Sequence, residues 1–305
     1  FRFEAAVGGG IPVLGPLAAD LAANHVRRVR GIVNGTTNYI LSAMAKEGRP
    51  YADVLEDAQR LGYAEADPAG DVEGDDAVNK LVILARLAFG EWLDPATVVR
   101  RPPSVRGDSR PGITGITDHE IEGAEALGLT MKLLATTTRL PRGKIAASVL
   151  PTCVPSNSPF GRTAGVTNRI EIEGDPVGVI GIAGPGAGGG PTSSAVLADL
   201  IAIARGLGST WAGLPAADAS AVAHIAAEPG LGTARRWFAH LPAVDLSGVA
   251  LSGVALPAPL AEAAAVPFED GTAIRTRNVT LHRLRDALAS VLPTDLDVAL
   301  YPVDD

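Results

Sequence analysis

The stretch "EADPAGDVEGDDAVNKLVILARLAFG", residues 65–90, changes character at Lys80: six carboxylates precede the lysine and an almost uninterrupted apolar run follows it. In the second half Ala77, Val78, Leu81, Val82, Leu84, Ala85 and Ala88 recur at helical spacing, which predicts a long helix from about Asp75 to Phe89. On that helix Asp75, Asn79 and Arg86 share a polar stripe that would face solvent. Asp76 and Lys80 lie off the stripe, four residues apart, on a face continued by Ile83, Leu84 and Leu87. An exposed pair at this spacing contributes only about 0.3–0.5 kcal/mol. On an apolar face, burial depresses a lysine pKa while adjacent carboxylates raise it, so the same pair is suited to handling protons or holding a polar ligand. A structural ion pair is the plain alternative. The helix dipole accounts for acids near the first turn, Asp71, Glu73 and Asp75 among them. A calcium loop is excluded, because the alternating acids are not followed by the required terminal glutamate. Glu65, in a loop bounded by Gly62, Pro68 and Gly74, is expected to fold back over the helix start.

Working outward, "GGGIPVLGPLAADLAA" reads as a glycine turn and a helix with Leu14, Leu17, Ala18 and Leu21 apolar. "HVRRVRGIVNG" alternates like a strand. "TTNYILSAMAKEG" predicts a helix capped by threonines and stopped at Gly48, and "YADVLEDAQRLG" another that ends at Gly62. The Pro-, Gly-, Arg- and Asp-rich residues 91–120 suggest a long surface connection. Strand patterns follow in "TMKLLATTTRL", "KIAASVLPTCV", "RIEIEG" and "VGVIGIAG", the last running into "PGAGGGPTSSAVLADLIAIARG", a glycine turn opening a helix. The fold class is therefore α/β or α+β, a mixed sheet covered by helices. We expect a main domain over residues 1–206, a linker over 207–232, and a small α+β unit over 233–305 built from "ARRWFAHL", "SGVALSGVAL", "LHRLRDALASVL" and "DVALYPV".

With 305 residues, 47% hydrophobic, the chain can bury a large core; a net charge of −8 leaves no basic surface for nucleic acid or an anionic membrane. No apolar run has the length of a membrane span, and the start has no signal-peptide pattern. A single cysteine, Cys153, excludes an internal disulfide framework and fits a reducing compartment, so the expected location is the cytoplasm. Beginning with Phe1 in what reads as the middle of a domain, the sequence is expected to be a fragment or a partial gene product. "GPGAGG", Gly184–Gly189, satisfies a GxGxxG expression, but no strand ending in Asp or Glu follows about 20 residues later, so it is not a complete dinucleotide fingerprint. What remains is a glycine turn at a helix N-terminus that a cofactor can approach closely. "NGTT" sits where a strand gives way to a helix, which makes Asn34 and Thr36 substrate-facing candidates and Thr37 a capping residue. The five histidines have no ligand spacing.

In this order and at these spacings, "EAAVGGGIPV", "GIVNGTTNYIL", "GYAEADPAGDVEGDDAVNK" and "GPGAGGGPTSSAV" resemble homoserine dehydrogenase over about residues 1–206. The resemblance implies NAD(P)-dependent interconversion of aspartate semialdehyde and homoserine, on the route to threonine, methionine and isoleucine. It further implies a homodimer. By the same likeness Lys80 is the acid/base or oxygen-positioning residue and Asp71 a second active-site group. Glu65 and Asp76 hold the amino acid substrate, while Gly62, Gly186 and Gly188 lie beside the cofactor. "EAAVGGGI" resembles the family's sodium site and assigns Glu4, Val7, Gly9 and Ile11 to it. The family's N-terminal Rossmann half and its second active-site lysine have no counterpart in the chain. Residues 233–305 compare in length and element order with a degenerate ACT-like domain, without the usual "DRPG" turn. A non-catalytic amino-acid-binding or regulatory protein is the competing reading; the intact Glu65, Asp76 and Lys80 set favours the enzyme.

Overall fold

The computed structural model describes residues 1–215, 234–242, 257–268 and 270–304. Around the central helix the chain builds one α+β layer pair. Five strands, β1 (His25–Ile32), β2 (Leu129–Arg139), β3 (Ile145–Pro155), β4 (Thr167–Asp175) and β5 (Gly178–Pro185), form a sheet in the order β3-β2-β1-β4-β5. The ladders between these strands are antiparallel; parallel pairing in the described residues is confined to the isolated bridges Val99–Ser148 and Cys153–Val303. Helices α1 (Gly35–Glu47) and α4 (Asp75–Phe89) lie against one face, joined by α2 (Tyr51–Arg60) and the short α3 (Ala69–Val72), with α5 (Asp118–Ala126) against β2. Val29 of β1, Ile170 and Ile172 of β4 and Leu81 and Leu84 of α4 are all buried in the same core. The opposite face of β1 and β4 is charged, with Arg28 paired to Glu173 and Arg30 to Glu171. This alternation fixes the register: a slip of one residue would turn the arginines inward.

The predicted helix over Asp75–Phe89 is present with those bounds. Its wheel needs one correction. Arg86, assigned to the solvent stripe, is buried, and its guanidinium donates to the carbonyls of Gly90 and Pro215. A long arginine can leave a polar stripe when backbone carbonyls replace water. Capping of α1 also differs from expectation. Asn34, not a threonine, is the cap: its Oδ1 accepts the Thr37 amide at 2.9 Å. The helix read in "VLGPLAADL" is a short wide turn, Pro16–Asp20, with Leu14, Leu17 and Leu21 buried.

The stretch 91–120 runs along the surface, with Trp92 and residues 94–97 and 106–108 exposed, but it also buries part of itself. Leu93, Val98, Ile113 and Ile116 belong to the core, Pro102, Pro103 and Ser104 are buried, and its end is the first turn of α5, closed by a capping box between Thr117 and Glu120. Single apolar residues among prolines and glycines carry no periodicity, which hid their burial from the sequence.

The C-terminal unit comprises β6 (Trp237–Pro242), α7 (Ala258–Ala261), β7 (Ala264–Phe268), β8 (Gly271–Arg275), α8 (Leu281–Ala289) and β9 (Tyr301–Pro302). Its antiparallel sheet runs β7-β8-β6-β9, a split βαβ arrangement of the ferredoxin-like kind among the described elements. Trp237, Ile274, Leu284 and Leu288 form its core, while Phe238, Ala273 and Tyr301 join the core of the main sheet. "SGVALSGVAL" and residues 216–232 of the expected linker lie outside the described residues; residues 207–215 fold against the N-terminus, with the Trp211 ring 4.5 Å from that of Phe3. Among the described residues no helix is long and apolar enough to cross a membrane.

Candidate functional site

Strand β1 ends at Ile32 and α1 begins at Gly35, so Val33 and Asn34 form the tight passage between sheet and helix, facing the first turns of α3 and α4. Asn34 is used completely. While its oxygen caps α1, its Nδ2 donates to Asp71 Oδ1 at 2.7 Å and to Asp76 Oδ2 at 2.9 Å. Asp76 Oδ2 also accepts from Lys80 Nζ at 2.7 Å, and the same ammonium donates to the Val33 carbonyl at 3.0 Å. Four residues from three elements thus share one network: Asn34, Asp71, Asp76 and Lys80.

The network is neither buried nor free. The Lys80 side chain is 21% exposed and that of Asp76 36%, so the cluster lies at a surface that a small molecule can reach. An ammonium has three donors, and two of those of Lys80 are committed; the third is left for a ligand oxygen. Two carboxylates hydrogen-bonded to the same amide provide acceptors for a ligand ammonium, since each oxygen can accept more than one bond. The site is thus suited to a small zwitterion with a second oxygen.

Other sequence candidates fall outside this network. Glu65 is exposed; Gln59 Nε2 holds its carbonyl at 3.0 Å, and none of the hydrogen bonds described above reaches its carboxylate. Thr36 does not face the cluster with its hydroxyl but donates it to the Tyr63 carbonyl at 2.5 Å, fastening the loop after α2 onto α1. Gly62 is the exposed left-handed residue that ends α2, with nothing against its Cα.

Glu4 has a defined structural task. Its carboxylate accepts the amides of Val13, Leu14 and Gly15, each at 2.8 Å, and so caps the following helical turn. Among the described residues no hydrogen bond reaches the carbonyls of Val7, Gly9 or Ile11, so oxygen ligands for a hard cation are present there in the backbone. Gly9, at φ +56°, touches the Gly186 carbonyl so closely that a side chain would collide with it, and Gly10 N donates to Pro185 O at 3.2 Å. The two glycine motifs therefore form one double turn. Beyond it α6 (Gly189–Ala204) begins after Gly188 without a side-chain cap. Gly189 and Gly190 have nothing within 4 Å of where a side chain would sit, which leaves room for a cofactor phosphate or amide, whereas Pro191 in the same turn has no N–H and the space at Gly186 is filled by Asn168. The same helix bares Val196, Leu197, Leu200, Ile201 and Ile203, all at least 45% exposed. Among the described residues no three acidic, histidine or cysteine side chains are grouped to hold a metal.

The network of Val33, through its carbonyl, was not legible in the sequence, because a backbone acceptor has no letter of its own. Lys132 was missed as well. It is fully buried on β2 and donates to Asn38 Oδ1, Ser42 Oγ and the Thr163 carbonyl; burial lowers its pKa to about 8. Its only signal was a lysine in a strand that is otherwise apolar and hydroxyl-bearing up to its last residue, Arg139.

Fold and site define an α+β domain with a lysine–carboxylate cluster at the mouths of two sheet-packed helices and a bare glycine turn at a third. A family model described as homoserine dehydrogenase matches residues 12–201, and the chain belongs to that family. The homoserine dehydrogenase of Mycobacterium tuberculosis is 46% identical over 207 residues, which are 67% of this chain and 45% of that protein. The Corynebacterium glutamicum enzyme is 40% identical over 286 residues, 90% of this chain and 57% of that protein. Among solved structures, a homoserine dehydrogenase from Thiobacillus denitrificans superposes with a TM-score of 0.82 at 33% identity, covering 99% of this chain and 70% of that one. A hyperthermophilic archaeal homoserine dehydrogenase in complex with NADPH gives a TM-score of 0.54 at 30% identity, covering 67% and 55%. The chain spans about half the length of the curated relatives it matches.

Proposed function

We propose that this chain supplies the amino acid substrate site of an NAD(P)-dependent homoserine dehydrogenase, which interconverts aspartate 4-semialdehyde and homoserine in the synthesis of threonine, methionine and isoleucine. The observation that carries the reading is the shared network of Lys80, Asp76, Asn34 and Asp71 at a solvent-reachable surface. Asp71 and Asp76 receive the substrate ammonium. The third proton of Lys80 faces the oxygen at the reacting carbon, where it neutralises developing alkoxide charge and delivers the proton in the reducing direction. The Val33 carbonyl and Asp76 keep the amine oriented for that transfer. Glu65, exposed in the loop before α3, would join Asp71 and Asp76 as an outer acid for the substrate ammonium.

A bound nicotinamide supplies the hydride. Gly186 and Gly188 would hold it at the open N-terminus of α6, with Gly62 at the rim. Relatives extend well beyond the matched region, and the bare apolar face of α6 supports a role as the seat of a nucleotide-binding domain. The backbone oxygens of Val7, Gly9 and Ile11, with Glu4 fixing the turn, would hold Na+, which would stiffen the double glycine turn. A homodimer and a cytoplasmic location accompany this reading.

The test is turnover of aspartate semialdehyde, followed by NADPH absorbance, in a protein where this chain is joined to a nucleotide-binding domain. Lys80→Ala is expected to abolish turnover while NADPH binding persists. Ordinary activity in that variant would refute the assignment.

A further inference from the structure

We infer that Asp297, in the C-terminal unit, is a positioning residue for Asp71: the strap 100–113 carries the geometry of one to the other. In its middle, at residues 103–108, the strap is bonded to the small unit at many points. Asp297 Oδ1 accepts the amides of Arg106 at 2.6 Å and Val298 at 2.9 Å, and Oδ2 accepts the Ser104 hydroxyl and the Asp108 amide, each at 2.8 Å. Leu300 N donates to Pro103 O at 2.7 Å and Val105 N to Val298 O at 2.9 Å. Arg285 Nε, on α8, reaches the Ser104 carbonyl at 2.8 Å. Burial pushes the Asp297 carboxyl up, but the amides and the Ser104 hydroxyl outweigh it and hold the group below the usual range, as expected of a carboxylate that organises a turn.

At its two ends, Arg100 on one side and Gly112 with Ile113 on the other, the strap meets the site. Ile113 N donates to the carbonyl of Val72 at 2.9 Å, one residue from Asp71, and Gly112 N donates to Arg100 O at 3.0 Å. Gly112, at φ +58°, lies so close to the Val72 carbonyl and Glu73 that any side chain there would displace α3. Arg100 forms an ion pair with Asp75 at the first turn of α4. Helix α3 has only four residues and no side-chain cap, so its placement comes from what packs on it. The strap supplies part of that packing, beside α1 and α4, and Asp297 fixes the middle of the strap. In this arrangement the C-terminal unit, through the strap, helps to set where Asp71 meets Asn34.

The consequence for catalysis rests on the proposed function; the geometry does not, and its test reads geometry alone. In the 15N-labelled chain, Asp297→Ala and, as a milder variant, Ser104→Ala are compared with the unaltered protein. We expect the Asn34 side-chain amide resonances to shift and exchange of the Gly112 and Ile113 amides to quicken at least tenfold, while amides of β2 and β3 keep their rates. Gly112→Ala, which displaces α3 directly, is expected to move the Asn34 resonances in the same way. If Asp297→Ala frees only residues 104–108 and leaves Asn34, Gly112 and Ile113 unchanged, the inference is overturned. Uniformly faster exchange, β2 included, would overturn it too, since that is general destabilisation. Should Asp297→Ala not fold, the same readings on Ser104→Ala decide.

Discussion

Lys80 Nζ lies 2.7 Å from Asp76 Oδ2 and 3.0 Å from the Val33 carbonyl, so one side chain of α4 is tied to both its own helix and the end of β1. A pair this exposed contributes little to folding, and its orientation is what distinguishes it. Asp76→Asn is expected to cost roughly 0.5–1 kcal/mol in urea denaturation. It should weaken homoserine binding to the chain by tenfold or more in titration calorimetry. A loss of several kcal/mol with unchanged binding would reassign the pair to a purely structural role.

Lys132 gives the protein a pH dependence of stability with a definite sign. Its folded pKa, lowered to about 8 by burial, lies below the ordinary lysine value of 10.5. The unfolded chain therefore binds more protons than the folded one between those values, and stability rises with pH across that window. The rise is on the order of 3 kcal/mol at most. Burial raises the pKa of Cys153 and Tyr301, which opposes this rise at the alkaline end, so the Lys132 contribution is read as the difference between the unaltered chain and Lys132→Met in urea denaturation from pH 7.5 to 10.5; parallel pH profiles would remove it.

Gly9→Ala places a methyl group against the Gly186 carbonyl at a left-handed position. Strain of this kind costs about 1–3 kcal/mol. We expect a lower melting temperature by calorimetry and, because Gly186 carries the strain onward, weaker NADPH binding in the domain-joined protein. Gly62→Ala, at an exposed site with no neighbour within 4 Å, should lower stability through φ alone; with Gly62 at the cofactor rim it should also weaken NADPH binding, and unchanged affinity would remove Gly62 from that rim.

Glu4 separates cap from cation. Its carboxylate serves three amides, so Glu4→Gln should destabilise by about 1–2 kcal/mol with or without sodium. If the Val7, Gly9 and Ile11 carbonyls hold Na+, the unaltered chain should gain melting temperature in NaCl relative to choline chloride at equal ionic strength. Equal melting curves in the two salts would remove the cation from the site.

What could be read from letters was whatever repeats. The period of α4, the alternation in β1 through β5 and the glycine stop of α1 placed the main elements within a residue or two. The Lys80–Asp76 pair followed from that helix alone, since a spacing of four dictates adjacency. Asn34 was a candidate, yet its bond to Asp71 spans 37 positions, and no local pattern encodes such a distance. The burial of Arg86 depends on the carbonyls of Gly90 and Pro215, and the core role of residues 91–120 depends on sheet contacts made by isolated side chains. Strands β7 and β8 were missed because Ala, Pro and Gly dilute their alternation.

The economy of Asn34 restricts its replacement unusually tightly. Aspartate would still terminate the backbone of α1 correctly but would confront two acids with a third; serine would terminate it and reach neither; glutamine would reach but not terminate. Position 34 thus accepts a single amino acid for two unrelated reasons, and any redesign of this network must treat that asparagine and the start of its helix as one inseparable unit.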